Sequence, residues 1–215
     1  MPEISLPTKT VQDIIKQTTD QILAAVNAKN TSKILRKKVF TTNGVFNVPS
    51  GVTEVLITGG GAGGGGSSAP TSSGADGTDT LFGTLLTLKG GKGANYTGSL
   101  FIPGAPGGNG GQAGHPVDTD SFTTARGGNS GFFFGGSGAQ ANFAVADVRN
   151  GNYCSGGAGY ATGQSQGAGG GGGEFVRQLP VAVTPLTAIP VTLGVGGAGG
   201  NLLAGKGGNG WLAVE

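Results

Sequence analysis

Between residues 59 and 173 the chain carries 37 of its 48 glycines, entered through the unbroken glycine-alanine run 59–66 and left through 169–173. A stretch of this kind cannot build an ordinary core, because the Cβ atoms that fill a folded interior are missing and its backbone loses the most entropy on ordering. Two outcomes are open to it: disorder, or extended backbones that approach closely because they lack side chains and hydrogen-bond to one another laterally. The second is polyproline-II-type geometry, which makes no internal hydrogen bonds and offers every N–H and C=O to neighbours. Order is favoured by three features. The glycines lack the strict triplet register of collagen. Apolar residues such as Leu81, Phe82, Leu85, Leu86 and Leu88, and Phe132, Phe133 and Phe134, stand where a linker would carry Ser, Thr and charge. Strand-like sequence flanks the stretch, so one small sheet structure is expected to clamp both ends.

Charge contributes little, at 11% of residues with a net +2. The basic residues Lys29, Lys33, Arg36, Lys37 and Lys38 read as a solvated junction, not a nucleic-acid face. A single cysteine, Cys154, excludes an intramolecular disulfide framework and a cysteine metal cluster, and reads as a small buried apolar residue. Nothing at the N-terminus has the form of a signal peptide, and no apolar run is long enough to span a bilayer.

Residues 1–30 form an arm and an attachment helix, 31–38 the basic junction, and 39–215 a glycine-rich β domain. From Thr10 onward Val11, Ile14, Ile15, Thr18, Ile22, Ala25 and Val26 recur at helical spacing, with Thr10 and Asp13 as a capping box. A helix this short is marginal alone. Its apolar stripe, with Val11, Ile15, Ile22 and Val26 as oligomerisation residues, is expected to be covered by copies of the same chain or by a foreign helix. The β domain has a strand base at 39–58 and 174–215 around a glycine-rich insert at 59–173. Strands are expected near 38–42, 45–48 and 53–58, with Asn43-Gly44 signalling a hairpin. Further strands fall near 174–177, 181–183, 189–195 and 211–214, with turns at Pro185 and Gly196-Gly197. The expected fold is mostly β: a short N-terminal helix, a small sandwich-like base, and glycine loops packed as polyglycine-II helices.

The segment 40–66, with Phe-x3-Gly-x-Phe-x-Val-Pro-x-Gly-Val-x2-Val-x-Ile running into glycines, resembles the opening of the glycine-rich domains of bacteriophage tail fibres. So does the closing segment, 191–200 followed by 206–214, and 81–93 resembles a recurrent inner module of those domains. The resemblance covers roughly 40–215. It implies a sandwich-like base carrying layers of polyglycine-II helices, with a variable distal surface made by the loops that interrupt the glycine motifs. It further implies a virion tail location, and partners that are the chain itself as a homotrimer, other tail or baseplate proteins, and a bacterial surface glycan or outer-membrane protein.

Laid onto this chain, the glycine motifs are 59–66, 90–93, 104–114, 127–138, 156–173 and 194–210, with interruptions at 67–80, 95–103, 115–125 and 139–155. Tyr96, Phe122, Phe143 and Tyr153 are the expected receptor anchors, with Asn95, Asp118, Asp120 and Asn142 as polar neighbours, since flat apolar rings beside amides and carboxylates suit surface recognition. Phe132, Phe133 and Phe134 read as packing against the glycine layers. Catalytic signals are weak. His115 is the lone histidine in a glycine-rich turn, and Asp76 and Asp79 are the one pair that could be read as glycosidase carboxylates. No calcium loop, phosphate loop, metal set or cofactor motif is present. The expectation is a non-enzymatic host-binding fibre or tip component. The alternatives are a structural connector or decoration protein of the same particle, and a free-standing, ice-binding-like surface binder.

Overall fold

The computed structural model describes residues 9–29, 36–68, 72–98, 100–115, 125–136, 150–160, 167–200 and 204–215, apart from the side chains of 25–29. The chain divides into two compact units, Met1–Arg36 and Lys37–Glu215. The fold is mostly β with one short N-terminal helix.

In the first unit, helix α1 spans Lys9–Lys29. It begins one residue before Thr10, so Thr10 lies inside the first turn and does not cap it. Thr18 and Thr19 donate their hydroxyls back to the carbonyls of Ile14 and Ile15, which satisfies the polar atom that interrupts the apolar stripe. Val11, Ile14, Ile15, Ile22 and Leu23 are exposed on the single chain.

The second unit is built on two four-stranded antiparallel sheets. The first has β1 (Lys38–Phe40), β10 (Trp211–Val214), β3 (Glu54–Gly60) and β8 (Phe175–Ala182), in the order β1-β10-β3-β8. The second has β2 (Gly44–Asn47), β9 (Ala188–Thr192), β4 (Thr80–Phe82) and β5 (Leu86–Leu88), in the order β2-β9-β4-β5. A short hairpin, β6 (Asn95–Tyr96) with β7 (Phe101–Ile102), stands apart from both. One apolar cluster draws on both sheets, with Ile57, Leu212 and Val214 from the first and Phe82, Leu88 and Val191 from the second wholly or almost wholly buried. At about 1.5–3 kcal/mol for each large side chain removed from water, this cluster supplies the clamp that the glycine region cannot provide for itself.

Asn43-Gly44 does not close a hairpin, because β1 pairs with β10 and β2 pairs with β9 in the other sheet. The Asn43 side chain instead accepts from the amide of Leu193, so the turn carries the chain between the sheets. The segments near 174–177 and 181–183 are one strand, β8, interrupted at Gln178, which has φ 50° and donates its amide to the Thr58 hydroxyl. Residues 80–88 leave the glycine region and return to the second sheet as the β4–β5 hairpin. Gly196-Gly197 is no turn, since Gly197 donates to the carbonyl of Gly63 inside the glycine lattice.

That lattice follows a three-residue rule. In the run 61–68, the amides of Gly61, Gly64 and Ser67 donate to the carbonyls of Glu174, Gly171 and Ala168. Those of Ala62, Gly65 and Ser68 donate to Thr78, Ala75 and Ser72, and those of Gly63 and Gly66 to Gly208 and Gly205. The partner numbers fall as the donor numbers rise, so all three of these neighbours are antiparallel. The carbonyls face three other runs, all parallel: Ala62 and Gly65 accept from Gly91 and Ala94, Gly64 and Ser67 from Gly157 and Tyr160, and Gly63 and Gly66 from Gly197 and Gly200. Six neighbours around one axis, each visited every third residue, define a polyglycine-II helix in hexagonal packing. The run 167–174 is surrounded in the same way, exchanging hydrogen bonds with 61–68, 89–92, 104–107, 112–115, 125–130 and 154–157.

Glycine is required because the helices touch through their backbones. An ideal Cβ at Gly63 would stand 1.9 Å from the carbonyl oxygen of Ser155, and one at Gly171 2.0 Å from that of Ala105. Two of the buried alanines, Ala62 and Ala204, sit with their Cβ atoms opposite Gly194 and Gly199.

Candidate recognition surface

The hydrogen-bond register gives the lattice two distinct ends. Runs 61–68 and 89–94 start at the sheets and climb away from them, while 72–79, 167–174 and 204–210 descend towards them. Ser68 and Ser72, His115 and Ala125, Tyr160 and Gly167, and Gly200 and Ala204 therefore lie at the end farther from the sheets, joined in pairs by residues outside those described. The β6–β7 hairpin follows run 89–94 and stands at the same distal end.

The hairpin is tied down from below. The Ser73 hydroxyl donates to the side-chain oxygen of Asn95 and accepts from the amide of Tyr96. The Tyr96 ring stacks on Phe101 with centroids 4.7 Å apart, and its hydroxyl donates to the carbonyl of Gly98. Leu100 and Ile102 are exposed beside this pair. Sequence reasoning named Tyr96 and Asn95 but passed over Leu100 and Ile102, whose alternation in a two-sided hairpin was the available signal.

Tyr153, the other described anchor, lies elsewhere. Its ring meets Phe133 edge-on at 5.7 Å, and Phe133 in turn meets Phe175 of β8 at 6.2 Å and Trp211 of β10 at 5.8 Å. Tyr153 therefore belongs to the end of the lattice that joins the first sheet, not to the distal surface. The cause is local: Phe175 and Trp211 pair with Gly60 from either side, and the absent side chain of Gly60 leaves a gap in which the Cys154 sulfur also lies. Phe133 packs as expected, whereas Phe134 is 72% exposed and Phe132 57%. Phe122, Phe143, Asp118, Asp120 and Asn142 lie outside the described residues, and of Val26 only the backbone is described.

Asp76 and Asp79 are each engaged by a lysine and a backbone amide. Asp76 accepts from Lys92 Nζ and the amide of Gly93, and Asp79 from Lys89 Nζ and the amide of Gly90, all at 2.8–2.9 Å. Run 72–79 and the run that starts at Lys89 are antiparallel neighbours, and side chains three apart on each face the same way, which sets up a two-rung ladder of ion pairs. The interruption expected at 67–80 is for the most part lattice. Partial burial pushes both carboxyls up, but the lysine and amide hydrogen bonds outweigh it and hold them below the ordinary value of 3.8. Burial pushes the Cys154 thiol up to about 12, against smaller opposing hydrogen bonds from the backbone at Trp211 and Gly60.

Among the described residues there is no group of three His, Cys, Asp or Glu side chains placed to hold a metal ion, and no helix long and apolar enough to cross a membrane. Comparison with protein-family models, with curated proteins and with solved structures finds no match to the chain.

Proposed function

We propose that the chain is a component of a bacteriophage tail fibre or tail tip that binds the host cell surface, without catalysis, through loops held on a rigid glycine scaffold. The observation that carries this reading is that four run-to-run connections leave and re-enter the lattice at its distal end, at 68 and 72, 115 and 125, 160 and 167, and 200 and 204, above a lattice with almost no side-chain chemistry of its own. Specificity then has to reside in the connections. The β6–β7 hairpin contributes Tyr96 and Asn95, 115–125 contributes Phe122, Asp118 and Asp120, and the part of 139–155 that precedes Asn150 contributes Phe143 and Asn142. Self-association of α1 through Val11, Ile15, Ile22 and Val26, as a homotrimer, would display several weak sites together and raise avidity.

The test is adsorption of the purified chain to susceptible cells, with Tyr96→Ala and Phe122→Ala compared at unchanged melting temperature and oligomer size. Both substitutions are expected to weaken adsorption. Wild-type adsorption by both would overturn the assignment of the distal loops, and failure of the unmodified chain to bind any host surface would favour a connector role in the particle.

A further inference from the structure

A second surface lies at the opposite end of the lattice. Phe132, Phe134 and Tyr153 are 57%, 72% and 43% exposed. Tyr153 packs edge-on against Phe133 and Phe132 edge-on against Phe175 at 5.7 Å, and the Phe133 ring is held by Tyr153, Phe175 and Trp211 together. The Arg177 guanidinium rests 5.0 Å from the centre of the Phe132 ring. Among the described residues no carboxylate comes within ion-pair distance of Arg177. The mount is rigid: the turn at Gly131 has φ 54°, and an ideal Cβ there would strike the Phe175 ring at 2.3 Å.

We infer that this patch is a binding site for an acidic saccharide, whose pyranose faces lie on the exposed rings and whose carboxylate pairs with Arg177. The small aromatic area favours a small ligand over a protein partner. At roughly 200 Å² per ring, the exposed fractions amount to about 350 Å², less than half of the ~800 Å² that each partner contributes to a standard protein interface. Charge decides against a neutral sugar, because the guanidinium rests on the Phe132 ring and has no counter-charge among the described residues. The site is separate from the distal loops and stands whether or not they bind a receptor.

Trp211, the one tryptophan in the chain, touches Phe133 and serves as a built-in reporter. The full-length protein is titrated with tri-galacturonate and with the neutral tri-galactoside, followed by Trp211 fluorescence and by calorimetry, which needs no reporter. Saturable binding of the acidic probe is expected, weakened by salt and absent for the neutral one. Arg177→Gln should lower the affinity about ten-fold, the worth of one hydrogen bond to a charged group. Phe134→Ala should lower it too, while Tyr96→Ala should leave it unchanged. Both affected side chains are exposed, so melting temperatures should match the wild type. No calorimetric binding of the acidic probe, equal affinity for the two probes, or full affinity in both Arg177→Gln and Phe134→Ala would overturn the inference. Cell adsorption that survives those results would show that the distal reading stands without it.

Discussion

Gly64→Ala separates a packed lattice from a set of loops, because the two arrangements predict opposite signs. In a loop, replacing glycine by alanine usually stabilises by about 0.4–1 kcal/mol, through the unfolded chain. Here an ideal Cβ on Gly64 would lie 2.0 Å from the oxygen and 2.3 Å from the carbon of the Lys92 carbonyl, and 2.7 Å from the amide nitrogen of Gly93. All three are backbone atoms, so no rotamer change relieves the overlap, and ordinary contact at 3.4 Å requires run 89–94 to move by about 1.4 Å. Lys92 accepts from Gly171 and donates to Ala105, so that movement strains two backbone hydrogen bonds. Overpacking at about 1–3 kcal/mol and two hydrogen bonds at about 1 kcal/mol each give a loss of roughly 3–5 kcal/mol. For a domain of this size the melting temperature should fall by about 6–20 °C. Gly171→Ala should behave alike, while Ser72→Ala, at the half-buried distal edge, should stay within about 0.5 kcal/mol of the wild type. The assay is thermal unfolding followed by circular dichroism or calorimetry. A Gly64→Ala protein that melts at or above the wild-type temperature would refute the packed lattice.

The ion-pair ladder makes stability depend on acid. Asp76 and Asp79 are held below 3.8, so their contribution is present above pH ~4 and is lost as the pH falls through the folded-state values. These carboxylates and their lysines are largely exposed, so solvent screens each pair and its contribution is small, and Asp76→Asn with Asp79→Asn should flatten the fall in melting temperature between pH 5 and pH 2.5 (about that window); an unchanged profile would remove the ladder from the account. Cys154, buried with its thiol pushed up to about 12, should resist a thiol reagent at neutral pH until the chain unfolds, and rapid labelling of the native protein would contradict its placement. Ile15→Asp with Ile22→Asp should convert the expected trimer to monomer by light scattering, and a wild-type chain that is already monomeric would point to a foreign helix as the partner of α1.

The clamp was legible in the sequence because β-branched and aromatic residues on both flanks of the glycine region carry strand propensity whatever they pair with. Their pairing was not. Asn43-Gly44 has hairpin chemistry, but the pull of two sheets on Phe40 and Phe46 overrides it. The lattice was legible as a lateral arrangement, while its extent was not, since 72–79 looks like a polar interruption when read for glycine content. Read with a period of three, the same run shows Gly74 and Gly77 facing inward and Ser73, Asp76 and Asp79 at the positions between, and Lys89 and Lys92 keep the same spacing. Tyr153 was misplaced for a related reason: composition marks where glycine stops but not at which end of a run it stops.

The three-residue rule also acts as a reading frame. Each residue of 61–68 addresses a neighbour set by its place in the triplet, so inserting or deleting one residue inside a run turns everything beyond it by about 120° and hands each amide to the wrong helix. A change of three residues slides the run by one turn and keeps every partner identity. The connections obey no such count, because they leave the lattice before the frame matters. A scaffold of this type can therefore lengthen, shorten or exchange its connections one residue at a time, while its interior tolerates length changes only in whole triplets.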